Sequence, residues 1–207
     1  ERKFLLSKKS LYGLILTALS LNLFLRYYKS FSLGHEDGTD SWDYHSAVNQ
    51  IVSNGEISWL LSPMSAIGLY PPYYEVGTVG IYAALNVVSQ ISISSTVFAL
   101  SFIFPIIAFF LSFICIHTCT SNKELALFFS MFITTSNGFL VATSWTISSR
   151  ALATFSFVFF IYLIHKYYIS RDYRYFFISL IWFIISMTIH RLFIFTLLYL
   201  AIYIFSF

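Results

Sequence analysis

The stretch VGTVGIYAALNVVSQISI, residues 76–93, decides how the chain is threaded. It has the length of a membrane span, yet Gly77, Gly80, Asn86 and Gln90 weaken it as one. The charges on either side settle the choice. If 76–93 crosses, the connections holding Lys123 and the group Lys166, Arg171 and Arg174 fall outside, and Arg150 alone stays in the cytoplasm. If it does not cross, those four are cytoplasmic and Arg150 alone is outside, which the positive-inside bias favours. Residues 76–93 are therefore read as a helix lying on or dipping into the outer surface, within one large extracytoplasmic loop from 29 to 94.

Apolar runs on either side supply the expected spans. The first, 9–28, follows the basic opening ERKFLLSKKS, which puts the N-terminus in the cytoplasm. It looks like a signal peptide, but Arg26, Tyr27 and Tyr28 follow where a small-x-small cleavage site would stand, so it is read as retained, with Lys9 and Arg26 snorkelling to the interfaces. Further spans are expected at 95–118, 124–144, 150–168, 174–190 and 191–207, with Pro105 kinking the second. The expectation is one all-α, polytopic transmembrane helix bundle of about six spans. Because the chain starts at Glu1 and breaks off at Phe207 inside an apolar run, the gene product is expected to continue in both directions.

Composition agrees with that frame. The chain is 58% apolar and 10% charged, against roughly 45–50% and about 25% in soluble domains. A net charge of +3, with the basic residues at the ends of apolar runs, excludes nucleic acid as a partner. Cys115 and Cys119, in ICIHTC, form no disulfide framework.

The acidic residues point to chemistry. Six of the nine, Glu36, Asp37, Asp40, Asp43, Glu56 and Glu75, fall in the outer loop. Four lie directly after the first span, in LGHEDGTDSWDYHSAVNQIVSNGEI, where a helical pattern starts after Asp40. Thr39 or Asp40 would cap that helix, with Asp43 in its first turn. The functional alternative is that carboxylates at the lipid–water boundary act as a base or hold Mg²⁺ or Mn²⁺, which take hard oxygen ligands. His35 and His45 flank the cluster. Downstream, Trp59, Tyr70, Tyr73 and Tyr74 around Pro71-Pro72 are interface anchors that also suit the C–H faces of a sugar. Arg150, His190 and Arg191 sit at span edges on the same expected side, where a guanidinium can grip a lipid phosphate in bidentate fashion.

Gly38-Thr39-Asp40 with Tyr44-His45 and Gly55, then Tyr70-Pro71-Pro72, then Ser149-Arg150 opening a span, and His190-Arg191 in an apolar run together resemble a known family. It is the GT-C class of polytopic glycosyltransferases, nearest to prokaryotic, especially archaeal, relatives of the oligosaccharyltransferase catalytic subunit and of protein mannosyltransferases. The resemblance implies a multi-pass enzyme of the cell membrane with an extracytoplasmic active face. Such an enzyme transfers a sugar from a polyprenyl-phosphate or polyprenyl-diphosphate donor to an acceptor protein or glycan. By the same resemblance Asp40 matches the essential first-loop aspartate, which serves as metal ligand or catalytic base, with Asp43 as the second catalytic candidate and Asp37 as the second metal ligand; Arg150, His190 and Arg191 would bind the lipid phosphate, and His45 and Tyr70 the substrate. SWTISSR, residues 144–150, departs from the family pattern in having no carboxylate, which leaves room for a metal-independent variant in which Arg150 holds the phosphate. A non-catalytic membrane subunit and a transporter are the rival readings.

Overall fold

A computed structural model of the protein describes residues 8–33, 38–56 and 75–205. Among these the regular structure is helical, with no strand. The helices are α1 (Lys8–Leu33), α2 (Thr39–Asn54), α3 (Val76–Ser89), α4 (Ile93–Thr120), α5 (Lys123–Thr135), α6 (Asn137–Thr143), α7 (Ser149–Ser170), α8 (Tyr173–Ile189) and α9 (Thr196–Phe205), with a 3₁₀ turn at Arg191–Phe195 before the last.

Three of them, α1, α4 and α7, are long and apolar enough to cross a membrane. The pair α5 and α6 would make a fourth span, bent by 57° at its break. The remaining apolar helices are shorter. The 17 residues of α8 extend about 25 Å, and the 14 of α3 about 21 Å, against a hydrocarbon core of about 30 Å. The region expected as a final span, 191–207, holds the 3₁₀ turn and the ten residues of α9. Outward-facing Ile103, Ile107 and Ile114 of α4, Phe128 and Phe132 of α5, and Phe177, Ile181 and Ile184 of α8 coat the bundle with apolar side chains, as lipid contact demands.

Two of the residues that weakened 76–93 as a span, Asn86 and Gln90, end α3. Gln90 takes the left-handed conformation, φ 56°, and its N–H caps the Asn86 carbonyl at 2.8 Å. The Asn86 side chain donates to the Ile91 carbonyl, and Ser92 then caps α4 by accepting from Ser95 N at 3.2 Å. The chain turns there on these local hydrogen bonds. α4 runs unbroken through the buried Pro105.

The turns at the far end of the two hairpins α4–α5 and α7–α8 are built alike. Ser121 and Arg171 both lie near φ 54° and 53°, and each caps the carbonyl four residues back at 2.8 Å. The next residue, Asn122 or Asp172, opens the following helix: Asn122 Oδ1 accepts from Glu124 N and Leu125 N, and Asp172 Oδ1 from Arg174 N.

The bend between α5 and α6 has a chemical cause. Thr134, Thr135 and Ser136 each turn the hydroxyl back onto a helix carbonyl, of Ser130, Met131 and Ile133, at 2.7–2.8 Å. Such back-bonding competes with the helix ladder and bends it. Asn137 and Gly138 follow, both poor in intrinsic helix propensity.

Arg26 corrects the sequence reading. Instead of snorkelling it is fully buried, 0% exposed, where α1 crosses the bend of α5 and α6. Tyr27 and Tyr28 beside it are exposed, so the interfacial character of that stretch belongs to the tyrosines and not to the arginine.

Candidate functional site

α2 is set between two left-handed glycines. Gly38, at φ 90°, precedes its first residue, and Gly55, at φ 73°, closes it by capping the Ile51 carbonyl. Gly38 thus occupies the N-cap position expected for Thr39 or Asp40, because its backbone conformation is one that a side chain disfavours. Asp40 then falls in the first helical turn, where a carboxylate suits the dipole; the structure describes its backbone only. Asp43 is a turn further on and exposed.

One face of α2, with Ala47 and Val48 fully buried, packs on Val79, Tyr82 and Ala83 of α3 and on Val97 of α4. Ile147, Leu152 and Ile189 complete the same apolar cluster. The start of α2, the connector between α6 and α7, the start of α3 and the end of α8 are thereby gathered at one end of the bundle. The opposite face of α2 presents Trp42, His45, Ser46, Asn49, Gln50 and Ser53 along a shallow surface depression. The Trp42 and His45 rings lie 6.2 Å apart there.

The connector, residues 144–148, receives the first turns of α2. The Ile147 N–H donates to the buried Ser41 Oγ at 2.7 Å, and the Tyr44 hydroxyl donates to Ser149 Oγ at 3.3 Å. Thr146 Oγ1 lies 3.5 Å from where a side chain on Gly38 would begin. Within the connector Trp145 sits at φ 51°, a strained conformation for a bulky residue. It is held by a 3.3 Å hydrogen bond from its indole to the Ser94 carbonyl and by edge-on packing against Phe98. Arg150 follows as the second residue of α7, with its side chain exposed. A cation at a helix N-terminus opposes the dipole, a placement that costs about 0.3–1 kcal/mol, so local helix stability does not account for it.

Across the cluster, α3 clamps the end of α8. Thr78 Oγ1 donates to the Ile189 carbonyl at 3.1 Å, and a Cβ on Gly77 would stand 2.9 Å from the Thr188 carbonyl carbon. His190 turns inward, where its Nε2 lies 3.6 Å from Glu75 Oε1, the two side chains 8% and 7% exposed. Glu75 was one acidic residue among six in the sequence reading. The signal that it differs, a carboxylate at the mouth of an apolar helix, gains meaning only with His190 opposite.

The structure therefore unites the helix bearing Asp40 and Asp43 with the connector leading to Arg150, and brings His190 and the backbone of Arg191 to the same end. The side chain of Arg191 is not described, and Asp37 and Tyr70 lie outside the described residues. Among the described residues no three His, Cys, Asp or Glu side chains converge as a metal site. Comparison with protein-family models, curated proteins and solved structures finds no match for the chain.

Proposed function

We propose that the protein is a membrane glycosyltransferase of the GT-C kind, moving a sugar from a polyprenyl-phosphate or polyprenyl-diphosphate donor to an acceptor on the extracytoplasmic face. The observation that carries this reading is the docking of the first turns of α2 on the connector to Arg150, through Ser41 with Ile147 and Tyr44 with Ser149. It ties the helix that carries Asp40 and Asp43 to the connector that leads into the exposed Arg150, at the end of an apolar bundle where a lipid phosphate can arrive within the membrane plane. Ser41 and Ile147 are 106 residues apart in sequence, and local folding supplies no reason for them to meet.

The chemistry needs both the carboxylate and the guanidinium. The acceptor hydroxyl or amide attacks the anomeric carbon and gives its proton to a carboxylate, Asp40 or Asp43. As the new bond to carbon forms, the bond from that carbon to the phosphate oxygen breaks, and the electron pair leaves on the lipid phosphate. Arg150 stabilises that growing negative charge, with Arg191 as a second donor. The depression along Trp42, His45 and Asn49 offers an aromatic face and polar groups for sugar. In this threading α8 and α9 count among six spans, with the N-terminus cytoplasmic.

The test is sugar transfer in membranes holding the full-length protein, with undecaprenyl-phosphate glucose, polyprenyl-phosphate mannose and a diphosphate-linked N-acetylglucosamine as donors. Asp40→Asn should lower transfer at least about 100-fold with folding retained. An EDTA arm reports whether the carboxylate acts through a metal. Wild-type rates from a folded Asp40→Asn protein would sink the reading, and no transfer from any donor would move it to a non-catalytic subunit.

A further inference from the structure

Arg26 lies inside the apolar bundle, yet its partners among the described residues are all neutral. Its Nε donates to Thr143 Oγ1 at 3.0 Å. One terminal nitrogen reaches the Asn22 carbonyl and Oδ1, at 3.0 and 3.2 Å, and the other reaches the Thr134 carbonyl at 3.0 Å. The guanidinium also lies 5.6 Å from the centre of the Phe139 ring. A buried cation within a membrane segment is costly, and such groups mark function more often than they add stability.

The partners explain what it does. α5 ends at Thr135, so the Thr134 carbonyl is one of the last four that a helix leaves without an internal partner. Thr143 ends α6, and its hydroxyl is already committed as a donor to the Phe139 carbonyl at 2.6 Å, leaving its oxygen to accept from Arg26. One planar fork thus ties the end of α5 to the end of α6 across the 57° bend. A lysine, with one charged nitrogen, lacks a fork that can span both.

Beyond Thr143 lies the connector. Ser144 is buried, Trp145 is strained and Ile147 is tied to Ser41 of α2. The connector is therefore fixed from beneath by Arg26 through Thr143 and from above by α2. We infer that Arg26 is a positioning residue of the site. It pins the connector from within the bundle so that Arg150 meets the start of α2 in one geometry. The inference rests on the glycosyltransferase reading for its catalytic consequence, but its structural half stands apart from it.

The experiment has two arms on protein in lipid nanodiscs. In the first, hydrogen–deuterium exchange of the Ile147 amide and of the first turn of α2 should speed up roughly tenfold in Arg26→Gln. Exchange at the Ser121 and Arg171 turns should not change. Thr143→Val removes the hydroxyl that accepts from Arg26, together with its local bond to the Phe139 carbonyl, and should give the same pattern; it decides the matter if Arg26→Gln does not fold. Unchanged exchange at Ile147 in Thr143→Val overturns the inference. In the second arm, transfer from whichever of the three named donors the wild type uses should lose about 100-fold in kcat for a displacement of about 1 Å, with KM for the donor within about threefold. Arg26→Lys should recover folded protein but not kcat. A loss confined to KM, or full recovery by lysine, also overturns it. Absence of transfer from the wild type would sink the glycosyltransferase reading and leave the exchange arm to decide on Arg26.

Discussion

The two ends of the bundle are built by different means. At the end of the Ser121 and Arg171 turns the helix-capping hydrogen bonds are made within a few residues: a left-handed residue caps one helix, and Asn122 or Asp172 caps the next. At the other end the polar contacts reach across the chain, from Ser41 to Ile147, Thr78 to Ile189, Glu75 to His190 and Arg26 to Thr143. Most of those groups are buried, and Trp145 is held there against its backbone preference. A turn needs only its own residues, whereas long-range buried polar contacts specify one arrangement among elements. The first end is scaffold. The second has the character of a site, where strain and buried charge concentrate.

The most severe break in that contrast is at Arg150. Replacing it with Gln removes the cation while keeping length and hydrogen bonding, and transfer should fall by about 100-fold, with Lys restoring part of it. Because the side chain is exposed at a helix start that disfavours a cation, stability should hold or rise slightly. A thermal midpoint that drops along with the rate would assign Arg150 to the scaffold instead.

Gly77→Ala comes next. The added methyl meets the Thr188 backbone and hydroxyl, so α3 and α8 must move apart, at a cost of about 1–3 kcal/mol. Thermal unfolding in nanodiscs should show it, and Gly80→Ala, with open space at that position, serves as the control. Equal midpoints for the two variants would mean that the clamp between α3 and α8 does not matter to the folded state.

How far the sequence revealed this follows from the same contrast. The long apolar runs of α1, α4 and α7, the break after Asn86 and the helix after Gly38 are local properties, and residue patterns disclose them. The run Thr134-Thr135-Ser136-Asn137-Gly138 also carries its bend openly, although hydropathy alone reads 124–144 as one span. Arg26 was misread because Tyr27 and Tyr28 beside it are interfacial, while its acceptors Thr134 and Thr143 lie more than a hundred residues away. Glu75 was lost among the acidic residues for the same reason, its partner being His190. The meeting of α2 with Ser149 depends on how the bundle closes, and no spacing within the chain encodes it.

The smallest effect tests the scaffold end. The Arg174 guanidinium, hydrogen-bonded to the Asp172 carboxylate, holds that carboxyl below its ordinary 3.8, and the backbone N–H of Arg174 adds to the effect. A carboxyl depressed in the folded state contributes stability above its unfolded value, which is lost as the pH falls through the folded one. Asp172→Asn keeps the cap, since asparagine serves that position as well as aspartate, but removes the titration. Asp172 is partly exposed and Arg174 is largely in water, so the change in midpoint at neutral pH should be slight. What should disappear is the acid sensitivity of this turn, seen as faster exchange in the first turn of α8 near pH 3 in the wild type alone. Asn122 fills the matching position without a titrating group, so once Glu124 of the first turn of α5 is replaced by Gln in both proteins, that turn should show no such acid response in either. Asn122→Ala should instead lose about 1 kcal/mol of capping at every pH. If α5 and α8 respond to acid alike, the turns are not independent, and the distinction between a locally built end and a long-range one fails.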